Sequence, residues 1–276
     1  MKARIAVVQF KTRVHDPAVN LRRMEQFVRR AKARQADIVV FPEDFITGPV
    51  RTRVDLIDPA GDFLRVFRTL AATHRIDIVA GSIIERVGRR RIQNASYYVD
   101  AKGQVLGRYA KVNLWLTERP LLVPGDSAEV IHTRFGKVGL TICWDLAFPE
   151  LYRTYARQGA EIICNVAWWS RQDAGPGIRL APKSEDLFIN ACCVARAFEE
   201  EAVIVFANAA DCWALGGTRY QSAGQSQVTV PFKGALKRID DEREGMIVQD
   251  VDSRVLKLAA EAYQIRKDLA SGRPLT

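Results

Sequence analysis

Apolar runs of strand length alternate with longer amphipathic stretches through most of the 276 residues. Residues 5–10 predict a first strand. Asp16 stands where a helix N-cap is expected, Pro17 fits the first helical position, and Leu21, Met24, Phe27, Val28 and Ala31 recur at helical spacing. Residues 37–41 predict a buried strand, and Phe63, Val66, Phe67 and Leu70 share one face of a helix over residues 63–74. Strand-like runs at 77–84, 93–99 and 105–109 follow, the last two joined by the Asp100-Ala101-Lys102-Gly103 turn, so this region is expected to be antiparallel. The basic run Gly88-Arg89-Arg90-Arg91 reads as a hairpin tip. After a loop at 120–125, strands are predicted at 128–133, 138–143, 161–166, 202–208, 225–230 and 246–251, with helices at 149–158 and 183–198. The pattern is mixed α/β with helices covering sheets, and no Pro/Gly/Ser linker divides it, so one domain is expected.

Composition narrows the class. At 48% hydrophobic and 26% charged residues the chain is an ordinary globular one. Its formal charge of +9 raises the question of nucleic acid. The basic residues are scattered, however, without an aromatic-interleaved stripe, which points to solvated faces and no nucleic-acid partner. No run approaches the roughly 20 apolar residues of a membrane helix, so no membrane partner is expected. The N-terminal segment reads as a strand rather than a signal peptide, which gives a cytoplasmic location by default. Five cysteines without a Cys-x-x-Cys pair argue for free thiols and against a structural zinc site. His15, His74 and His132 have no metal-ligand or Cys-His spacing.

Three apolar strands end in groups with chemistry: residues 38–43 in Glu43, 105–111 in Lys111 and 138–143 in Cys143. Carboxyl ends of strands are where α/β proteins collect their sites. A thiol must lose its proton before it attacks a carbonyl or nitrile carbon. A neighbouring carboxylate can take that proton, and an ammonium can favour the thiolate and stabilise an oxyanion. Cysteines that close apolar strands are ordinarily small core residues, and Cys164 fits that description.

The neighbourhoods of these three residues resemble the nitrilase or carbon-nitrogen hydrolase superfamily. The matching blocks are Ile5-Ala6-Val7-Val8-Gln9, the stretch Ala36-Asp37-Ile38-Val39-Val40-Phe41-Pro42-Glu43, Lys111-Val112-Asn113-Leu114-Trp115, and Gly139-Leu140-Thr141-Ile142-Cys143-Trp144-Asp145 with Phe148-Pro149-Glu150. The resemblance implies a four-layer αββα sandwich, paired with a second subunit across a helical face. It implies Glu43 as general base, Lys111 as cationic stabiliser, Cys143 as nucleophile, the Trp144 N–H as oxyanion donor and Glu118 as a second acid. Glu150, at a helix start, instead complements the helix dipole. Trp168 and Trp169 either wall the pocket or belong to the core or a subunit contact. Ala147 stands where many relatives carry arginine, which bears on the substrate rather than on the triad.

The resemblance implies a hydrolase cleaving a small linear amide or N-carbamoyl compound through an acyl thioester, with no cofactor and no metal. A nitrilase acting on a C≡N group and a non-catalytic assembly or binding protein are the alternatives. A homodimer or higher homo-oligomer is expected, with the tail from about residue 262 (Tyr263, Ile265, Arg266, Asp268) against a neighbour. Cys143 is expected to alkylate faster than Cys164, Cys192, Cys193 and Cys212, because a nearby cation raises its thiolate fraction while the others look buried or structural.

Overall fold

Alternation along the strands sets the layering. In β1 (Lys2–Gln9), Ala3, Ile5 and Val7 pack into one apolar cluster, and Ala6 and Val8 pack into another. Successive side chains of a strand leave opposite faces, and β2 (Ile38–Val40) divides in the same way, Ile38 and Val40 against Val39. One face meets a second sheet; the other meets helices. The result is the four-layer αββα sandwich that the resemblance implied, seen here in a computed structural model that describes residues 2–50, 53–58, 61–89 and 91–271.

The first sheet also contains β3 (Asp77–Val79), β4 (Ile83–Arg86), β5 (Ile92–Val99) and β6 (Val105–Ala110). β1, β2 and β3 are parallel, whereas β5 pairs antiparallel with β3, β4 and β6. The second sheet contains β7 (Ile131–Thr133), β8 (Gly136–Ile142), β9 (Ile162–Ala167) and β10 (Val203–Asn208), and its centre, β8 to β10, is again parallel. A hairpin, β11 (Cys212–Leu215) and β12 (Thr218–Gln221), stands apart from both sheets. β13 (Gln227–Val230) and β14 (Gly234–Arg238) complete the second sheet, and β15 (Gly245–Asp252) returns to pair antiparallel with β1.

Helices α1 (Pro17–Ala33) and α2 (Asp62–His74) cover the first sheet through Met24, Phe27, Val28, Phe67 and Leu70. Asp16 caps α1 as its sequence suggests, accepting the Val19 N–H at 3.1 Å. α3 (Pro149–Arg157) and α4 (Ser184–Glu199) cover the second sheet through Leu151, Tyr152, Tyr155, Ile189 and Cys193. Glu150 lies in the first turn of α3, as expected of an acid that complements a helix dipole, and Cys164 is a core residue.

Several predicted elements change shape. The strand at 77–84 is two strands, because Gly81 turns the chain at φ +60°. The strand at 128–133 shortens to Ile131–Thr133. Arg86 pairs with Ile92 across the expected β4–β5 hairpin, although Arg90 lies outside the described residues. The sequence reading missed β11, β12, β14 and two helices of the tail, α5 (Arg254–Tyr263) and α6 (Ile265–Ala270). That tail is fastened to its own chain. Arg266 Nε donates to the Glu200 carbonyl at 2.9 Å, the Ile265 N–H donates to Glu201 Oε1 at 2.9 Å, and Tyr263 stacks on Phe232.

Candidate active site

Both sheets contribute to one constellation. Glu43 follows β2 of the first sheet across Phe41 and Pro42, and Lys111 follows β6 of that sheet. Cys143 follows β8 of the second sheet. The three strand ends meet although they come from distant parts of the sequence. Lys111 Nζ lies 2.8 Å from Glu43 Oε1 and 2.8 Å from Glu118 Oε2. Cys143 lines the same cavity as Glu43, and the two groups interact electrostatically. Glu118 is thus an ion-pair partner of Lys111.

Amide donors fix the two carboxylates. Asn94 Nδ2, on β5, donates to Glu43 Oε1 at 2.8 Å and to Glu118 Oε1 at 3.2 Å. The Trp168 N–H donates to Glu43 Oε2 at 2.9 Å, and the Trp115 N–H donates to Glu118 Oε2 at 2.7 Å. The Lys111 backbone is held between the Asn94 carbonyl (2.9 Å) and the Gly125 N–H (2.8 Å).

Cys143 opens a 3₁₀ turn, Cys143–Ala147, in the left-handed region at φ 48°. A side chain there costs roughly 1–3 kcal/mol and persists only where its surroundings impose it. Asp145 supplies much of that constraint. Its carboxylate accepts the Ile142 N–H at 2.9 Å and the Tyr109 hydroxyl at 2.7 Å, together with the Asn113 N–H at 2.8 Å and Nδ2 at 3.0 Å. The turn behind the sulfur is therefore tied to the strand and loop on either side of Lys111. Asn165 Nδ2 donates to the Cys143 carbonyl at 3.3 Å from β9.

Burial governs the charges. It works against the Lys111 ammonium, but Glu118 and Glu43 outweigh it and hold that pKa well above the usual lysine range. Burial, opposed by Lys111 and reinforced by Glu118, keeps the Glu43 carboxyl above the ordinary carboxylate value. Burial and the Glu43 charge push the Cys143 thiol well up, and Lys111 with the Trp168 N–H offsets only part of this. The cation expected to enrich the thiolate is present, but burial and the Glu43 charge outweigh it and disfavour the thiolate.

The constellation lies in a cavity of about 690 Å³ that includes its solvent mouth. All five tryptophans of the chain (Trp115, Trp144, Trp168, Trp169 and Trp213) line it, with Tyr220, Asp44 and Asp173. Trp168 and Trp169 are thus cavity wall, and Trp169 is also core, 2% exposed with its indole N–H on Glu185 Oε2 at 2.6 Å. Sequence reasoning missed Asn94, Asp145, Asn165, Asp44, Asp173, Trp213 and Tyr220 as site residues. The Gly216-Gly217 pair was the available signal for the hairpin that carries the last two.

The sequence profile of the carbon-nitrogen hydrolase family matches residues 4–261. The chain is 31% identical over 261 residues to a probable nitrilase of Schizosaccharomyces pombe, covering 91% of this chain and 89% of that one. It is 28% identical over 280 residues to a 2-oxoglutaramate amidase of Bacillus subtilis, covering 98% and 100%. Its fold matches the crystal structure of Saccharomyces cerevisiae Nit3, a member of branch 10 of the nitrilase superfamily, with a TM-score of 0.81 at 24% identity over 95% of this chain and 94% of that one. It also matches the NitN amidase of Nesterenkonia sp. AN1, with a TM-score of 0.75 at 26% identity over 92% and 95%.

Proposed function

This chain belongs to the carbon-nitrogen hydrolase family, and from that premise we propose that it hydrolyses a small linear amide or N-carbamoyl compound through an acyl thioester on Cys143. The observation that supports this reading most is the contact of one buried ammonium, Lys111, with both Glu43 and Glu118 at 2.8 Å in a cavity that Cys143 also lines. Glu43 takes the thiol proton as sulfur attacks the carbonyl carbon, which spares the site a standing thiolate. Lys111 stabilises the oxyanion, and so does the Trp144 N–H, which belongs to the first turn of a 3₁₀ segment and has no intrahelical acceptor. Glu43 then returns its proton to the departing nitrogen, and ammonia leaves the acyl thioester. Water, deprotonated by Glu43, attacks the thioester carbon; the acid departs and the thiol regains its proton. Glu118 holds the ammonium in place throughout.

Two further assignments accompany the chemistry. Phe232 and Leu258 are exposed along one groove and Tyr263, also exposed, stacks on Phe232, an arrangement that suits a second copy of this chain. Five free cysteines fit the reducing environment of the cytoplasm.

Ammonia release from a panel of amides, ureido acids and nitriles tests the reading. The wild type is expected to release ammonia from at least one amide or ureido compound. Cys143→Ala should fall by about 1,000-fold or more, equivalent to roughly 4 kcal/mol of transition-state stabilisation. Release from nitriles alone would replace the amidase reading with a nitrilase. Silence on the whole panel from both proteins would favour an assembly protein.

A further inference from the structure

The titratable groups that line the cavity are mostly acidic, whereas the chain as a whole is basic. Overall the protein carries a formal +9. Among the described residues, however, the cavity wall has four carboxyl groups (Glu43, Asp44, Glu118 and Asp173) and one ammonium, Lys111. Glu43 and Glu118 already share that ammonium. Asp44 has the Ser82 hydroxyl as its side-chain partner, at 3.4 Å. Asp173 Oδ2 accepts the Ser170 N–H at 2.7 Å, and among the described residues no lysine or arginine pairs with Asp173.

Asp173 is held in place in a cavity wall that also presents aromatic faces. Its neighbour Gln172 accepts the Gln221 N–H at 2.7 Å, and Ser170 bridges to Ser222, so the segment is fastened to the end of the strand that carries Tyr220. Tyr220 stacks on Trp213 with centroids 5.9 Å apart and planes at 6°, and Trp213 meets Trp168 edge to face at 4.7 Å. Ring faces attract cations, and an uncompensated carboxylate in a low-dielectric wall attracts them more strongly. Both features repel a substrate that ends in a carboxylate.

Building on the hydrolase reading above, we propose that the non-reacting end of the substrate carries a positive charge. Asp173 receives this ammonium beside the rings of Trp168, Trp213 and Tyr220, while the amide carbon faces Cys143. The substrate class is a linear amide with a terminal amine.

Three amides of similar length test this: δ-aminovaleramide, caproamide and glutaramate, which end in an ammonium, a methyl and a carboxylate. Wild-type kcat/KM is expected to favour δ-aminovaleramide over caproamide by about tenfold or more, with glutaramate lowest, as one charge-assisted contact allows. Asp173→Asn should bring the ammonium-to-methyl ratio close to unity, mainly through KM, and Asp173→Glu should restore part of it. A wild-type ratio at or below unity, or a ratio that survives Asp173→Asn, overturns the proposal. Binding separates it from the reading on which it rests. In Cys143→Ala, quenching of the cavity tryptophans should show δ-aminovaleramide bound in preference to caproamide. That preference without any turnover in the wild type would sink the hydrolase reading and keep the charge assignment. Failure of Cys143→Ala to bind δ-aminovaleramide sinks the charge assignment.

Discussion

Cys143 and Cys212 show how far residue type predicts reactivity. The sequence suggested that a neighbouring cation would make Cys143 the most reactive of five cysteines. In the structure burial and Glu43 raise its thiol pKa, so in the proposed mechanism its reactivity depends on proton transfer to that carboxylate. Cys212, expected to be buried or structural, is exposed on β11. A bulky maleimide is therefore expected to label Cys212 first, whereas iodoacetamide is small enough to reach Cys143 as well. Glu43→Gln should slow iodoacetamide labelling of Cys143 by about tenfold or more and leave Cys212 unchanged. Peptide mass spectrometry after brief exposure reads both rates, and equal rates at Cys143 in the two proteins would remove Glu43 from the role of base. Glu43, Lys111, Glu118 and Cys143 were legible because each stands in a distinctive local stretch. Asn94 was not legible. It is an ordinary strand residue until folding brings it to Glu43, 51 positions away in sequence.

Among the elements, the bend at Gly81 positions Glu43, the proposed general base. A Cβ at Gly81 would lie 2.1 Å from the Pro42 carbonyl, and the residue sits at φ +60°. Both facts forbid a side chain unless the Pro42–Glu43 segment moves. Gly81→Ala is expected to cost roughly 2–4 kcal/mol in urea unfolding and to lower kcat, since overpacking and left-handed strain act together. Gly61→Ala is the control: it shares a positive φ, but none of the described residues lies within 4 Å of its Cβ, so about 1 kcal/mol of conformational cost is expected. The same bend explains why one apolar run from 77 to 84 read as a single strand. Hydrophobicity continues through the turn, and only backbone geometry interrupts it. The β11–β12 hairpin escaped for the converse reason, since its short strands mix buried and exposed side chains and give no apolar run.

For the whole molecule, the pattern of apolar runs indicated mixed α/β layers but could not say which strands pair, because pairing joins residues from opposite ends of the chain, as β1 and β15 do. The stacking of two sheets came from the family resemblance. Stability at this scale also depends on Glu200, which is fully buried beneath the tail, with the Arg153 Nε 3.7 Å away. Burial raises its carboxyl from 4.5 to about 7, so the folded chain holds an extra proton between those values. That contribution is complete below pH 4.5 and is lost as the pH rises through about 7. Glu200→Gln is expected to raise Tm by about 2–4 °C at pH 8 and to leave it nearly unchanged at pH 5, measured by calorimetry. An equal shift at both pH values would mean that packing, not ionisation, sets the effect. The placement of sulfur on one sheet and carboxylate on the other has a mechanical corollary. A slip of ~1 Å along the apolar seam would part Cys143 from Glu43, the proposed proton donor and acceptor, and cost orders of magnitude in rate while every ladder bond survived. Turnover therefore gauges the alignment of two stacked plates, which secondary-structure content does not register.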